Sequence, residues 1–186
     1  MRLFLALLLC IASLAATADE IGDALRAGGV AFLMRHATAP GNYDPEGFRL
    51  DDCATQRNLS EEGRGEARRV GAHLKGLGLG AAEVLTSQWC RCRDTARLAF
   101  GGATDWPALN SFARERAGGA AQVATVARRI AGLKRGDRPL VLVTHQVVIT
   151  ALTDIFPQSG EVIVVAPDQR AGRPGVRVIA RIAPPP

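Results

Sequence analysis

Residues 30–34, VAFLM, are apolar at every position, and so are residues 140–143, LVLV; the first run breaks off in Arg35-His36 and the second in Thr144-His145. A strand with one face in water alternates apolar and polar side chains, whereas a strand covered on both faces is apolar throughout. Two such strands demand a central sheet with helices packed on either side. The rest of the chain offers those helices. Residues 20–27 predict a short one stopped by Gly28-Gly29. Ser60 predicts the N-cap of another, with Glu61 and Glu62 in its first turn, where they suit the helix dipole, and Ala67, Val70, Leu74 and Leu77 along its buried stripe. The GLGLG at 76–80 follows a helix rather than a strand, so it reads as a stop and a turn and not as a dinucleotide fingerprint. Residues 83–86 read as a strand, about 90–100 as a helix, 101–119 as irregular, 120–133 as an amphipathic helix, 140–145 as the second continuous strand and 147–154 as a helix. Residues 161–166 and 176–182 predict a hairpin closed by a Gly/Pro-rich loop. This alternation predicts an α/β fold, a three-layer sandwich with a mostly parallel central sheet.

The first residues, MRLFLALLLCIASLAATADE, combine a basic Arg2, an apolar stretch over 3–14 and an Ala16-Thr17-Ala18 cleavage pattern. They predict a signal peptide over 1–18 and a single domain over 19–186. The apolar stretch falls short of the ~20 residues a bilayer-spanning helix needs. A lipoprotein reading of Cys10 has Leu9 where a small residue belongs. Cleavage removes one base and no acid, lowering the net charge from +5 to +4. The expected product is periplasmic or secreted, without stable membrane insertion. In such a compartment two of the three remaining cysteines can pair. Cys53 with either Cys90 or Cys92 is the expectation, because both sides border the strand ends discussed next. The C-x-C at 90–92 and the three histidines give no metal-ligand spacing, so no metal and no cofactor are expected. The basic residues are scattered and lack interleaved aromatics, which argues against nucleic acid and for a small anionic substrate. Nothing in the pattern specifies an oligomeric state.

Ligands of open parallel sheets sit beyond the carboxyl ends of the strands. Three strands deliver polar residues there: Arg35-His36, the stretch 87–93, and Thr144-His145-Gln146. Guanidinium forks match phosphate oxygens. A neutral imidazole can attack phosphorus and form a phosphohistidine, and a second, protonated one can stabilise the charge that develops. A lone histidine is more often structural, and His73, on the helix after Ser60, is read that way.

These residues carry a resemblance. Arg35-His36-Ala37-Thr38 resembles the Arg-His-Gly-Ser/Thr signature of the histidine phosphatase superfamily, whose fold is that of the phosphoglycerate mutases. Leu59-Ser60-Glu61-Glu62-Gly63 resembles its Leu-Thr-x-x-Gly helix start. The run from Ser87 to Ala96 resembles its Ser-Pro-x-x-Arg-Ala-x-x-Thr-Ala, and Val143-Thr144-His145 its strand-end Thr-His. The resemblance implies His36 as nucleophile and Arg35, Arg91 and His145 as the phosphate pocket, with Arg57, Thr38 and Gln146 as substrate-binding candidates and Arg93 as structural. It extends to exported members such as lipopolysaccharide-core heptose phosphatases. The implied activity is an exported phosphomonoesterase acting on a sugar or envelope phosphate. The alternatives are a protein phosphohistidine phosphatase and a catalytically weak phosphate-binding protein. Two departures bear on mechanism. Ala37 replaces the signature Gly. The family's general acids are missing as well: one branch carries a Glu where Leu109-Asn110-Ser111 has Ser, and the other an Asp where Gln146 stands. Glu161 and Asp52 are the fallback proton donors. Without an acid, turnover is expected to depend steeply on the acidity of the leaving group.

Overall fold

In the structure, a computed structural model that describes residues 18–168 and 175–186, the apolar runs lie at the centre of one sheet. The expected signal peptide falls outside the described residues except for Ala18, and most of the loop expected to close the hairpin lies outside them too. The elements in chain order are α1 (Ala18–Ala27), β1 (Ala31–Arg35), α2 (Glu61–Gly76), β2 (Glu83–Thr86), α3 (Cys90–Phe100), β3 (Thr104–Asp105), α4 (Gly119–Ala131), β4 (Leu140–Thr144), α5 (Gln146–Thr153), β5 (Val162–Asp168) and β6 (Gly175–Ile182). The sheet order is β3-β2-β4-β1-β5-β6. β3, β2, β4 and β1 pair in parallel, and β5 alone runs against the others, antiparallel to both β1 and β6.

Successive residues of β1 and β4 feed opposite layers, as the pleat requires. Phe32, Met34, Val141 and Val143 pack with Val70 and Leu74 of α2 and Ala96 of α3. Ala31, Leu33, Leu140 and Leu142 pack with Val126 and Ile130 of α4 and Ile149 of α5. Each fully buried Val, Leu, Ile, Phe or Met among them contributes roughly 1.5–3 kcal/mol, so burial on both faces anchors the strand pair.

The helix starts follow their caps. Ser60 Oγ accepts the Gly63 amide at 3.0 Å, as expected of an N-cap. Gly63 itself sits where a Cβ would lie 2.0 Å from the Thr38 carbonyl oxygen, so α2 approaches the chain just beyond β1 only because no side chain intervenes. The stretch 101–119 departs from the irregular expectation. It contains β3 and a 3-10 turn, Pro107–Leu109. β3 is two exposed residues paired through the backbone to β2, which leaves no apolar signature to read. No α-helix among the described residues is long and apolar enough to cross a membrane.

Candidate active site

The parallel register Arg35↔Thr144 sets the next residues of β1 and β4, His36 and His145, side by side. The His36 amide continues the ladder, donating to Thr144 O at 2.9 Å. The two rings meet edge to face with centroids 5.5 Å apart, and both are at least 95 % buried.

His36 Nδ1 lies 2.8 Å from the Ala37 carbonyl oxygen. A carbonyl only accepts, so Nδ1 carries the proton and Nε2 keeps its lone pair. Burial, and then the charge of Arg91, hold this imidazole well below its ordinary range, against the opposing bond to Ala37. Its Nε2 is therefore an available nucleophile. His145 is fixed in the opposite sense. Arg91 Nη2 lies 3.5 Å from its Nδ1, and a guanidinium only donates, so Nδ1 accepts. Nε2–H then donates to Ser87 Oγ at 2.8 Å, and Ser87 in turn donates to Asn110 Oδ1 at 3.2 Å. Burial, followed by Arg91 and His36, also keeps His145 well below the usual imidazole range. Desolvation and neighbouring cations both disfavour a charged His145 here.

Arg91, at the start of α3, is 3 % exposed and grips the carboxylate of Asp44: Nη1 donates to Oδ1 at 2.8 Å and Nη2 to Oδ2 at 3.2 Å. Asp44 also accepts from Trp89 Nε1 and from the Arg57 amide, each at 3.0 Å. Arg35 Nη1 donates to Pro157 O at 2.8 Å, and Arg57 Nη1 to Ala39 O. The Nε atoms of Arg35, Arg57 and Arg91 are all buried without a partner. An unmade buried hydrogen bond costs about 1–3 kcal/mol. The three guanidiniums lie near enough to act on one another, an electropositive cluster suited to an anion; the acceptors Glu66 Oε1 and Asn58 Oδ1 are likewise buried without a partner.

The remaining sequence candidates have definite places. Thr38 is tied to α2: its amide and hydroxyl donate to Glu66 Oε2 at 3.2 and 2.5 Å. Gln146 opens α5 and donates to Thr150 Oγ1 at 2.8 Å, on the rim of a groove of about 990 Å³ between α4 and α5. Glu161 accepts from Arg181 Nε of β6 and from the Gln158 amide before β5, both at 2.7 Å, so its two oxygens are engaged. Asp52 caps the turn Cys53–Thr55 through the Ala54 amide at 3.1 Å and pairs with Arg49. Arg93 forks onto the Asp105 carboxylate. The chain pairs Cys53 with Cys90 and leaves Cys92 as a buried thiol, which burial pushes up to about 12. Among the described residues, no group of three or more His, Cys, Asp or Glu is placed to hold a metal ion.

Two acidic residues of the site escaped the sequence reading. Glu66 had a signal, since it interrupts the buried face of α2 between Gly63 and Ala67. Asp44 had none in its local pattern; only the need of a buried arginine for a counter-charge points to it. A cavity of about 440 Å³ opens at the Asp44–Arg91 pair and is lined also by Tyr43, Trp89, Ser111 and Glu115.

Comparison with known proteins agrees with this fold. Residues 31–122 match the family model of the histidine phosphatase superfamily, branch 1. That span includes His36 and Arg91 but not His145, which the sheet register brings in. A protein histidine phosphatase, SixA, solved with tungstate, is 17 % identical over 83 % of this chain and 97 % of its own, with a TM-score of 0.54. A putative phosphohistidine phosphatase SixA from Agrobacterium tumefaciens is 24 % identical over 84 % and 98 %, with a TM-score of 0.56. A phosphoglycerate mutase from Thermus thermophilus is 21 % identical over 83 % and 98 %, with a TM-score of 0.52. No curated protein sequence gives a significant match.

Proposed function

The chain belongs to the histidine phosphatase superfamily, and we propose that it is an exported phosphomonoesterase that hydrolyses a small sugar or envelope phosphate through a phosphohistidine on His36. The observation that carries this reading is the pairing of a neutral His36, its Nε2 lone pair free, with three buried guanidinium Nε donors that lack partners. The arginines bind the phosphoryl oxygens, His36 Nε2 attacks phosphorus, and water later takes the phosphoryl group from the ring. A bound phosphate dianion adds the negative charge that the free site lacks. That charge favours a proton on His145, which then stabilises the equatorial oxygens. The Cys53–Cys90 bridge supports the exported part of the reading, because disulfides persist in oxidising compartments.

A protein phosphohistidine phosphatase is the second reading. It is favoured by Ser111 and Gln146, which stand where the family's acids would be. Against it, His36 is 3 % exposed, which suits a small ester better than a residue on a folded protein. The test is a phosphate-ester panel, with a phosphohistidine protein included, offered to the chain beginning at Asp19. We expect ester turnover, an acid-labile phosphoryl group trapped on His36, and a loss of about 10³-fold or more in His36→Ala with the fold intact. Tungstate binding without turnover of any substrate would overturn the proposal in favour of a phosphate-binding protein.

A further inference from the structure

We propose, resting on the phosphatase reading above, that Asp44 is the proton donor to the leaving group: a catalytic carboxyl that occupies Arg91 until a phosphate claims that guanidinium. The first support is position. Asp44 and Ser111 line the same cavity beside Arg91, and Ser111 stands where one branch of the family carries its acid. Asp44 and Ser111 thus share one space, walled by Arg91. The second support is anchorage. A phosphate that takes the Nη1/Nη2 edge of Arg91 in place of the carboxylate removes one of Asp44's three side-chain holds. The Trp89 indole and the Arg57 amide remain, each at 3.0 Å. Arg114 also donates to the Asp44 carbonyl, so the residue stays at the cavity wall after displacement.

The charge balance then changes in the required direction. Burial alone raises the Asp44 carboxyl, but the bonds from Arg91, the Arg57 amide and Trp89 outweigh it and hold the group below the usual carboxylate range. When a dianion claims Arg91, the strongest of those opposing contacts is gone, the burial remains, and a negative neighbour is added. Each change favours the protonated acid. The charged and titratable groups around it are Arg91, Arg57 and the Cys92 thiol on the inner side and the exposed Arg114 and Glu115 at the rim. The other carboxylates considered are engaged elsewhere, Glu161 on Arg181 and Asp52 on Arg49.

In the first step, the His36 Nε2 lone pair forms the N–P bond. The P–O bond to the leaving group breaks with its electron pair on oxygen, and that oxygen takes the Asp44 proton. In the second, water attacks phosphorus and passes a proton to the Asp44 carboxylate. The P–N electron pair returns to Nε2, releasing inorganic phosphate and restoring the acid.

The experiment measures phosphorylation rate against leaving-group pKa for wild type, Asp44→Asn and Glu115→Gln, using alkyl phosphates and nitrophenyl phosphates as probes. The expected result is a shallow dependence in wild type. In Asp44→Asn, alkyl substrates should slow by about 10²–10⁴-fold and nitrophenyl substrates by less than ~10-fold, with loss of the high-pH limb for alkyl substrates. Equal slowing of both classes, or a shift of the effect to Glu115→Gln, overturns the inference and leaves the phosphatase reading standing. If Asp44→Asn does not fold, the wild-type slope decides alone: a steep dependence means no acid operates. A wild type that hydrolyses no ester defeats the activity and this inference together.

Discussion

Two surfaces enclose the site, and they are held by different forces. The floor is the pair of strand ends, β1 and β4. His36 and His145 are set there by parallel register and by apolar layers above and below. The wall is the loop over residues 39–58 together with the start of α3, and polar side chains hold it in place alongside the packing of Phe48 on Trp89. Gln56 illustrates this. Its Nε2 donates to Arg49 O at 2.8 Å and Leu50 O at 3.2 Å, while its Oε1 accepts the Cys90 amide at 3.0 Å. The Cys53–Cys90 bridge and the Asp44–Arg91 pair close the same seam. The floor therefore offers fixed nucleophile geometry that a single polar substitution barely disturbs. The wall offers groups that can exchange partners, and it fails when one partner is removed.

The sharpest way to break this contrast is Arg91→Ala. It leaves the Asp44 carboxylate buried without its cation, and uncompensated charges of this kind typically cost about 3–5 kcal/mol. Arg91→Ala with Asp44→Ala should recover part of that loss, because neighbours in one network are coupled by roughly 0.5–3 kcal/mol. Chemical denaturation of the two single variants and the double variant measures the coupling. Strictly additive losses would mean that the pair is not what holds the wall.

Next in size is the disulfide. Opening Cys53–Cys90 in a Cys53→Ser/Cys90→Ser variant should cost about 2–4 kcal/mol. Native-state hydrogen exchange should show the loss as faster exchange across residues 39–58, with β1 and β4 still protected. Uniform acceleration over wall and floor would erase the distinction. Thiol titration of the unfolded chain from Asp19 should find one free group, Cys92.

The floor has its own signature in pH. His36 and His145 are held well below the ordinary imidazole range when folded, and both return to about 6.5 when unfolded. Below that value the unfolded chain binds protons that the folded chain refuses. Stability is thus fully present above about pH 6.5 and is lost as pH falls toward the folded values. Each histidine contributes a slope of up to about 1.4 kcal/mol per pH unit. His145→Gln should halve the slope measured by denaturation between pH 7 and pH 5. An unchanged slope would mean that these rings charge freely in the folded protein.

The same division explains what the sequence disclosed. The floor was legible because an unbroken apolar run has one physical use, and because the Ser60 cap and the Gly28-Gly29 stop mark helix ends by local rules. Arg35, His36, Arg91 and His145 stood at those ends, and the structure sets the two rings and the Arg91 guanidinium together. The wall was not legible, because its contacts join residues far apart that have no periodicity between them. Asp44 reaches Arg91 across 47 positions. The choice between Cys90 and Cys92 also depended on the third dimension. Two residues on a helix are separated by roughly 200°, so Cys90 faces the loop while Cys92 lies beneath His145, its sulfur 3.5 Å from Nε2.

The smallest predicted effect tests where the wall's chemistry lies. Asp52 accepts the Ala54 amide and pairs with Arg49, whose side chain is 62 % exposed. Asn keeps the capping oxygen and loses only an exposed ion pair, so Asp52→Asn should change stability by no more than about 0–1 kcal/mol. Its effect on phosphorylation rate should be the same for alkyl and nitrophenyl phosphates, because the Asp52 carboxylate is committed to its own turn. Selective slowing of alkyl substrates in Asp52→Asn would reverse this. It would place the proton donor at the disulfide end of the loop, leave Asp44 as a counter-ion for Arg91 alone, and make the wall's catalytic part depend on a contact that the free structure does not form.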